Sequence, residues 1–225
     1  MSEARKEIMG RIREALKTPS PKPHLKGESA KVTGKAWLPE VGDTQAETMA
    51  LLSDNLAKLK AQFHPVENLN EAISLVKDLA QKKNWKNIAY HKNELVTPVA
   101  LAIDGNAWAV EDSFSKDKLE ASDVGLTSCV SIVAQFGAIL VSSETSGGRG
   151  LSILPPVHVV IAKADQVVPD LAACFEQINL QFGGKMPKMP SMLSFITGPS
   201  RTGDIERILV LGAHGPKELY LILVR

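Results

Sequence analysis

Apolar residues recur along this chain at helical spacing, then at strand spacing, and then in alternation. In residues 2–17, Ile8, Ile12 and Leu16 fall on one face behind Ser2, which predicts a short capped helix. Its stripe is narrow, so the helix needs a partner to hold it. Thr18 to Gly42 carries Pro19, Pro21, Pro23 and Pro39 among Lys, Gly and Ser, and reads as an extended linker in which only Trp37 and Leu38 could dock. From Thr44 to Phe63, Met49, Leu52, Leu56, Leu59 and Phe63 keep the 3.6 period, and Pro65 stops the run. Asn70 is a cap for a second helix with Ile73, Val76, Leu79 and Ala80 on one side. Ile88 to His91 follows as a strand, Leu95 to Ile103 as a helix with Pro98 near its first turn, Trp108 to Glu111 as a strand, and Lys116 to Ala121 as a helical turn. Asp123 to Val130 shows no clear period.

Beyond that stretch the strand signal strengthens. Ile132–Gln135 and Ala138–Ser142 are apolar strands split by Gly137, and the β-branched run Val157–Ala162 reads as a buried strand. Pro169–Ile178 is helical, Gln181–Pro190 is a loop, and Met192–Ile196 is a strand. Leu209–Leu211 and Leu219–Val224 form an expected antiparallel pair across Ala213–Lys217. Alternating helices and strands define an α/β domain over residues 44–225, preceded by an arm of helix and linker over residues 1–43.

With 225 residues, 44% hydrophobic and 23% charged, the composition is that of a water-soluble globular chain. The net charge of +1 argues against broad nucleic-acid or membrane binding. Residues 1–26 hold seven Lys/Arg against three Glu, a formal +4 that leaves −3 for the rest. That arm is either a solvated tail or a docking element for an acidic surface. Cys129 and Cys174 stand apart, too few to bind an iron–sulfur cluster or to build a disulfide framework, which fits a reducing compartment. The chain shows neither a signal-peptide h-region nor a membrane-length apolar run, so a cytoplasmic location is expected.

Two polar loops follow apolar strands, and each carries one arginine. In Ser142-Ser143-Glu144-Thr145-Ser146-Gly147-Gly148-Arg149-Gly150, glycines let backbone N–H groups approach an anion and the hydroxyls add donors. The spacing is not that of a Walker loop; the alternative is a flexible Gly/Ser loop. In Gly198-Pro199-Ser200-Arg201-Thr202, Arg201 lies between hydroxyls, followed by Asp204 and Glu206, which could fix it or bind a polar ligand; the alternative is a capped turn. Both loops are expected to form one pocket for an anion. His158, in Leu154-Pro-Pro-Val-His158, is either an acid–base group or a satisfied core residue, and His214 sits on a tight turn before Gly215 and Pro216. His158, His214 and Glu144 are the candidate catalytic residues, and no metal-ligand spacing is present.

The segments 148–158, 196–206 and 210–219 together resemble the LUD-domain family, in particular the small C-type members of the bacterial lactate-utilisation system. The resemblance is close over residues 124–225 and looser from about Thr44. It implies a twisted, mostly parallel sheet with flanking helices, NagB/RpiA/CoA-transferase-like. It also implies a part in oxidising L-lactate to pyruvate beside iron–sulfur partner subunits, with no cofactor in this chain itself. The family pattern Ala-Glu-(Thr/Ser)-Gly-Thr is replaced here by Ala134-Gln135-Phe136-Gly137-Ala138. A neutral amide cannot act as a carboxylate nucleophile or base. Three readings are open: a non-redox lactate-utilisation subunit that binds a small carboxylate or phosphate; a stand-alone acyl-CoA or sugar-phosphate enzyme; or a binding protein that has lost the chemistry. Self-association into a homo-oligomer is left open.

Overall fold

The computed structural model describes residues 3–17, 38–112, 114–183, 189–202, 210–212 and 214–225. Outside them lie the Ser2 cap, the linker part 18–37 with Trp37, part of the 181–190 loop, Asp204, Glu206, Leu209 and Ala213. The chain divides into two units, Met1–Pro39 and Glu40–Arg225. In the first, α1 (Glu3–Lys17) is a helix with no buried residue.

The second unit opens with α2 (Gln45–Lys58), β1 (Gln62–Val66), α3 (Leu69–Lys83), β2 (Asn87–Tyr90), α4 (Val96–Ala102) and β3 (Asn106–Ala109). It continues through α5 (Lys116–Glu120), β4 (Val124–Thr127), β5 (Ser131–Val133), β6 (Ala138–Ser142), β7 (Val157–Lys163) and β8 (Val167–Val168). It closes with α6 (Leu171–Phe182), β9 (Leu193–Ile196), β10 (Arg201–Thr202), β11 (Val210–Leu211) and β12 (Glu218–Val224).

Six strands form a sheet in the order β1-β12-β7-β4-β2-β3, with every neighbouring pair parallel. One face, with Val159, Ile161, Tyr220 and Ile222, packs on Val76 and Ala80 of α3 and Val96 and Val99 of α4. The other, with Val160, Ala162, Leu221 and Leu223, packs on Leu52 and Leu56 of α2 and on Ile132, Ile139 and Val141 of a second sheet. That second sheet runs β8-β5-β6-β9, and its far face, with Val133 and Leu140, is covered by Cys174, Ile178 and Phe182 of α6. The fold is therefore α/β with a mostly parallel sheet and flanking helices, as expected.

Three elements depart from the expected pattern. Helix α2 stops at Lys58, and Gln62–Val66 is a strand at the sheet edge, where Pro65 is tolerated because, among the described residues, β1 pairs only with β12. The next helix is capped by Asn68 rather than Asn70, its side chain accepting from the Glu71 N–H at 3.0 Å. No hairpin joins β11 to β12. β11 pairs antiparallel with β10, whereas β12 lies between β1 and β7, parallel to both. The unbroken run Leu219–Val224 is buried on both faces, which is the mark of a central parallel strand rather than of a hairpin arm.

Candidate functional site

Two features of the backbone bring distant loops to the amino ends of β7 and β12. Gly125 lets the chain after β6 lie on the sheet, since a Cβ there would stand 2.5 Å from the Leu151 carbonyl oxygen. Residues 151–156 thus cross the face of β4 before β7 begins, and the Pro156 carbonyl at its end accepts from the Lys217 N–H at 2.7 Å. Gly198, at φ 95°, comes so near the end of α2 that a Cβ would meet the Leu59 carbonyl oxygen at 2.7 Å. Ser200 then ties the loop to the 212–216 turn. Its N–H donates to the Pro216 carbonyl at 2.8 Å, and its carbonyl accepts from the Gly212 N–H at 2.9 Å.

Between these loops lies a cleft of about 470 Å³. β9 and the loop after it form one wall, from Ser194 through Thr197 and Pro199 to Ser200 and Arg201. Ser152 and Ile153 form another, and His214, Gly215 and Pro216 close it. Arg201 is exposed and makes no ion pair among the described residues. The His214 N–H donates to Ser200 Oγ at 3.4 Å, which holds the imidazole on the rim. A guanidinium, an imidazole and several hydroxyls on one cleft can bind an oxyanion.

The expected second arginine is not part of this cleft. Arg149 donates from Nη2 to the Ser191 carbonyl at 2.7 Å, and none of residues 142–150 lines the cleft. The hydroxyls of their loop bond within it. Ser142 Oγ accepts from the Glu144 N–H at 3.2 Å and the Thr145 N–H at 3.1 Å, and Thr145 Oγ1 accepts from the Ser142 N–H at 2.9 Å. Ser146 Oγ donates to the Ser142 carbonyl at 2.6 Å, and Ser143 Oγ accepts from Ser191 Oγ at 3.1 Å. Gly147 and Gly148 take positive φ to close the turn, and the Gly150 carbonyl accepts from Ile153 and Leu154. The loop braces the start of β9 instead of presenting donors to the cleft, and Glu144 stands on it, exposed and off the cleft.

His158 is also off the cleft. It is fully buried in β7 on the face of Val160, with Nε2 2.8 Å from Thr127 Oγ1 and Nδ1 without a partner among the described residues. Burial lowers its pKa to about 3, so the ring is neutral and serves the core. Gln135 is buried on the turn between β5 and β6, its carbonyl accepting from Asn55 Nδ2 at 3.0 Å. It does not line the cleft either. Thr202 joins β10 to β11 through its backbone pairing with Val210.

Ser152, Ser194 and Thr197 line the cleft without having been anticipated. Each is a single hydroxyl in an otherwise apolar or turn context, and only tertiary folding brings them together. His91 and Glu111 were missed as well: beyond the carboxyl ends of β2 and β3, His91 Nδ1 bonds Glu111 Oε1. Among the described residues no group of three or more His, Cys, Asp or Glu could hold a metal ion, and no helix is long and apolar enough to cross a membrane.

These features place the chain in a defined class. It belongs to the LUD-domain family, whose model matches residues 49–224. Among its relatives is lactate utilization protein C of Shouchella clausii, 28% identical over 187 residues that cover 79% of each chain. The protein of the same name from Halalkalibacterium halodurans is 32% identical over 108 residues, 48% of this chain and 46% of its own length. That from Bacillus subtilis is 34% identical over 107 residues, 48% and 44%. The chain thus spans about half the length of some of the relatives it matches. A DUF162 family protein from Deinococcus radiodurans has the same fold, with a TM-score of 0.60 at 22% identity over 81% of this chain and 99% of that one.

Proposed function

We propose that this chain serves lactate utilisation in the cytoplasm as a non-redox component. It binds a small carboxylate or phosphate in the cleft at the amino ends of β7 and β12, while iron–sulfur partner subunits carry out the oxidation of L-lactate to pyruvate. The observation that supports anion binding is Arg201, exposed on the cleft beside His214 and the Ser200 and Thr197 hydroxyls. The names of the relatives support the pathway. The two cysteines, both buried, support placing the clusters on other subunits.

Isothermal titration of the purified chain with L-lactate, pyruvate and inorganic phosphate tests the binding. Arg201→Ala should weaken the bound anion by about 1.5–3 kcal/mol, the range of a charge-assisted hydrogen bond. A loss below about 0.5 kcal/mol, no more than an exposed ion pair contributes, removes Arg201 from the site. Affinity purification at native expression tests the assembly: it should recover iron–sulfur proteins, and their absence overturns the subunit assignment.

A further inference from the structure

Helix α1 keeps its apolar side open. None of its residues, Glu3–Lys17, is buried. Ile8, Met9, Ile12 and Leu16 are 57%, 40%, 46% and 77% exposed, although most large apolar side chains of the second unit are buried. A helix of this length is marginal alone in water and takes most of its stability from packing an apolar face. Four open apolar side chains on one short helix mark a surface that gains from being covered.

The charges of α1 say what covers it. Ile8, Ile12 and Leu16 stand one turn apart as a ridge, and Ala4, Met9 and Ala15 widen it to an arc of about 140°. Arg11 borders that arc on one side and Arg13 and Lys6 on the other, with Arg5 at its amino end. Glu3, Glu7 and Glu14 gather on the far side, where Glu14 pairs with Lys17 at 2.7 Å. The charge beside the apolar arc is therefore basic, and the acidic groups point away from whatever lies on it. Anchors at i, i+4 and i+8 between basic borders fit an apolar groove with acidic rims. A lipid surface fits less well. Five basic residues against three acidic ones leave +2, and the helix has no aromatic residue to anchor at an interface.

We infer that α1 is a docking helix whose Ile8–Ile12–Leu16 ridge seats in an apolar, acid-rimmed groove of an iron–sulfur partner subunit, an occupant that rests on the partners proposed for this chain. The formal +4 of residues 1–26, against −3 for the rest, draws the arm to the acidic rims. The ridge then supplies the buried area that holds it there.

Affinity purification of the tagged full chain at native expression, with mass spectrometry of what is recovered, tests this. Ile8→Ala with Ile12→Ala keeps good helix formers and removes the ridge; it should lower recovery of iron–sulfur proteins about fivefold or more. Arg11→Glu with Arg13→Glu should lower it about threefold or more, whereas Glu7→Gln with Glu14→Gln, on the far side, should leave it within about twofold. Because α1 buries nothing, all three variants should melt with the wild type. Equal recovery by the wild type and by the alanine and glutamate pairs overturns the docking helix and leaves the partners standing. Recovery of no iron–sulfur protein by the wild type overturns the partner assignment and this inference together. Sedimentation with phosphatidylcholine vesicles holding about 30% phosphatidylglycerol should show no binding. Vesicle binding that the alanine pair abolishes would assign the ridge to lipid instead, and a dimer that the same pair dissolves would assign it to a second copy; either overturns the groove.

Discussion

Acidification should destabilise this protein through His158. The free imidazole titrates near 6.5, whereas burial holds this one down to about 3. Between those values the unfolded chain binds a proton that the native state does not. Stability contributed by the neutral ring is therefore complete above about pH 6.5 and is lost as the pH falls toward 3. The slope is about 1.4 kcal/mol per pH unit, so the loss at pH 4.5 is about 2–3 kcal/mol. A domain of ordinary stability, roughly 5–15 kcal/mol, would register that clearly. Carboxylates titrate over the same range, so the comparison is with His158→Gln, whose amide can still reach Thr127 Oγ1 and does not titrate. Urea unfolding followed by circular dichroism at pH 7, 5.5 and 4.5 gives both curves. The wild type should lose about 2–3 kcal/mol more than the variant. Parallel curves would refute the assignment of a buried, neutral His158.

Three further outcomes concern the scaffold. Gly198→Ala should lower stability by about 1–3 kcal/mol in the same urea assay, because alanine at φ 95° is strained and its Cβ meets the Leu59 carbonyl; an unchanged midpoint would contradict the close approach. Thr44→Ala should cost about 1 kcal/mol by removing the cap of α2, in which Thr44 Oγ1 accepts from the Glu47 N–H at 3.2 Å; a loss under a few tenths would argue against it. Burial raises the thiol pKa of Cys129 and of Cys174, so neither should react quickly with an aromatic disulfide reagent in the native state and both should react in urea; rapid native labelling would contradict the packing.

How much of this was legible in the sequence depended on how local the signal was. β6, β7 and β9 were readable because runs such as Val157–Ala162 are apolar and β-branched on both faces, which helices rarely need. β1 was hidden because Phe63 completed a helical stripe and Pro65 stood for a stop rather than an edge. β4 was hidden by Gly125, a poor strand residue that is used here because the Leu151 carbonyl lies against it. In the site, Arg201, Ser200 and His214 were readable from one turn each. The place of Arg149 was not, because a guanidinium bonded to the Ser191 carbonyl looks the same in sequence as one reaching for a ligand. His158 carried both readings. Strand parity decided between them, since position 158 shares its face with Val160 in the core.

A crystal structure of the chain saturated with L-lactate tests most directly whether Arg201 receives the anion. The ligand carboxylate is expected within about 2.7–2.9 Å of the Arg201 guanidinium, inside the cleft bounded by Ser200 and His214. A carboxylate held instead at Arg149 or beside His91 and Glu111, with the cleft empty, would contradict it.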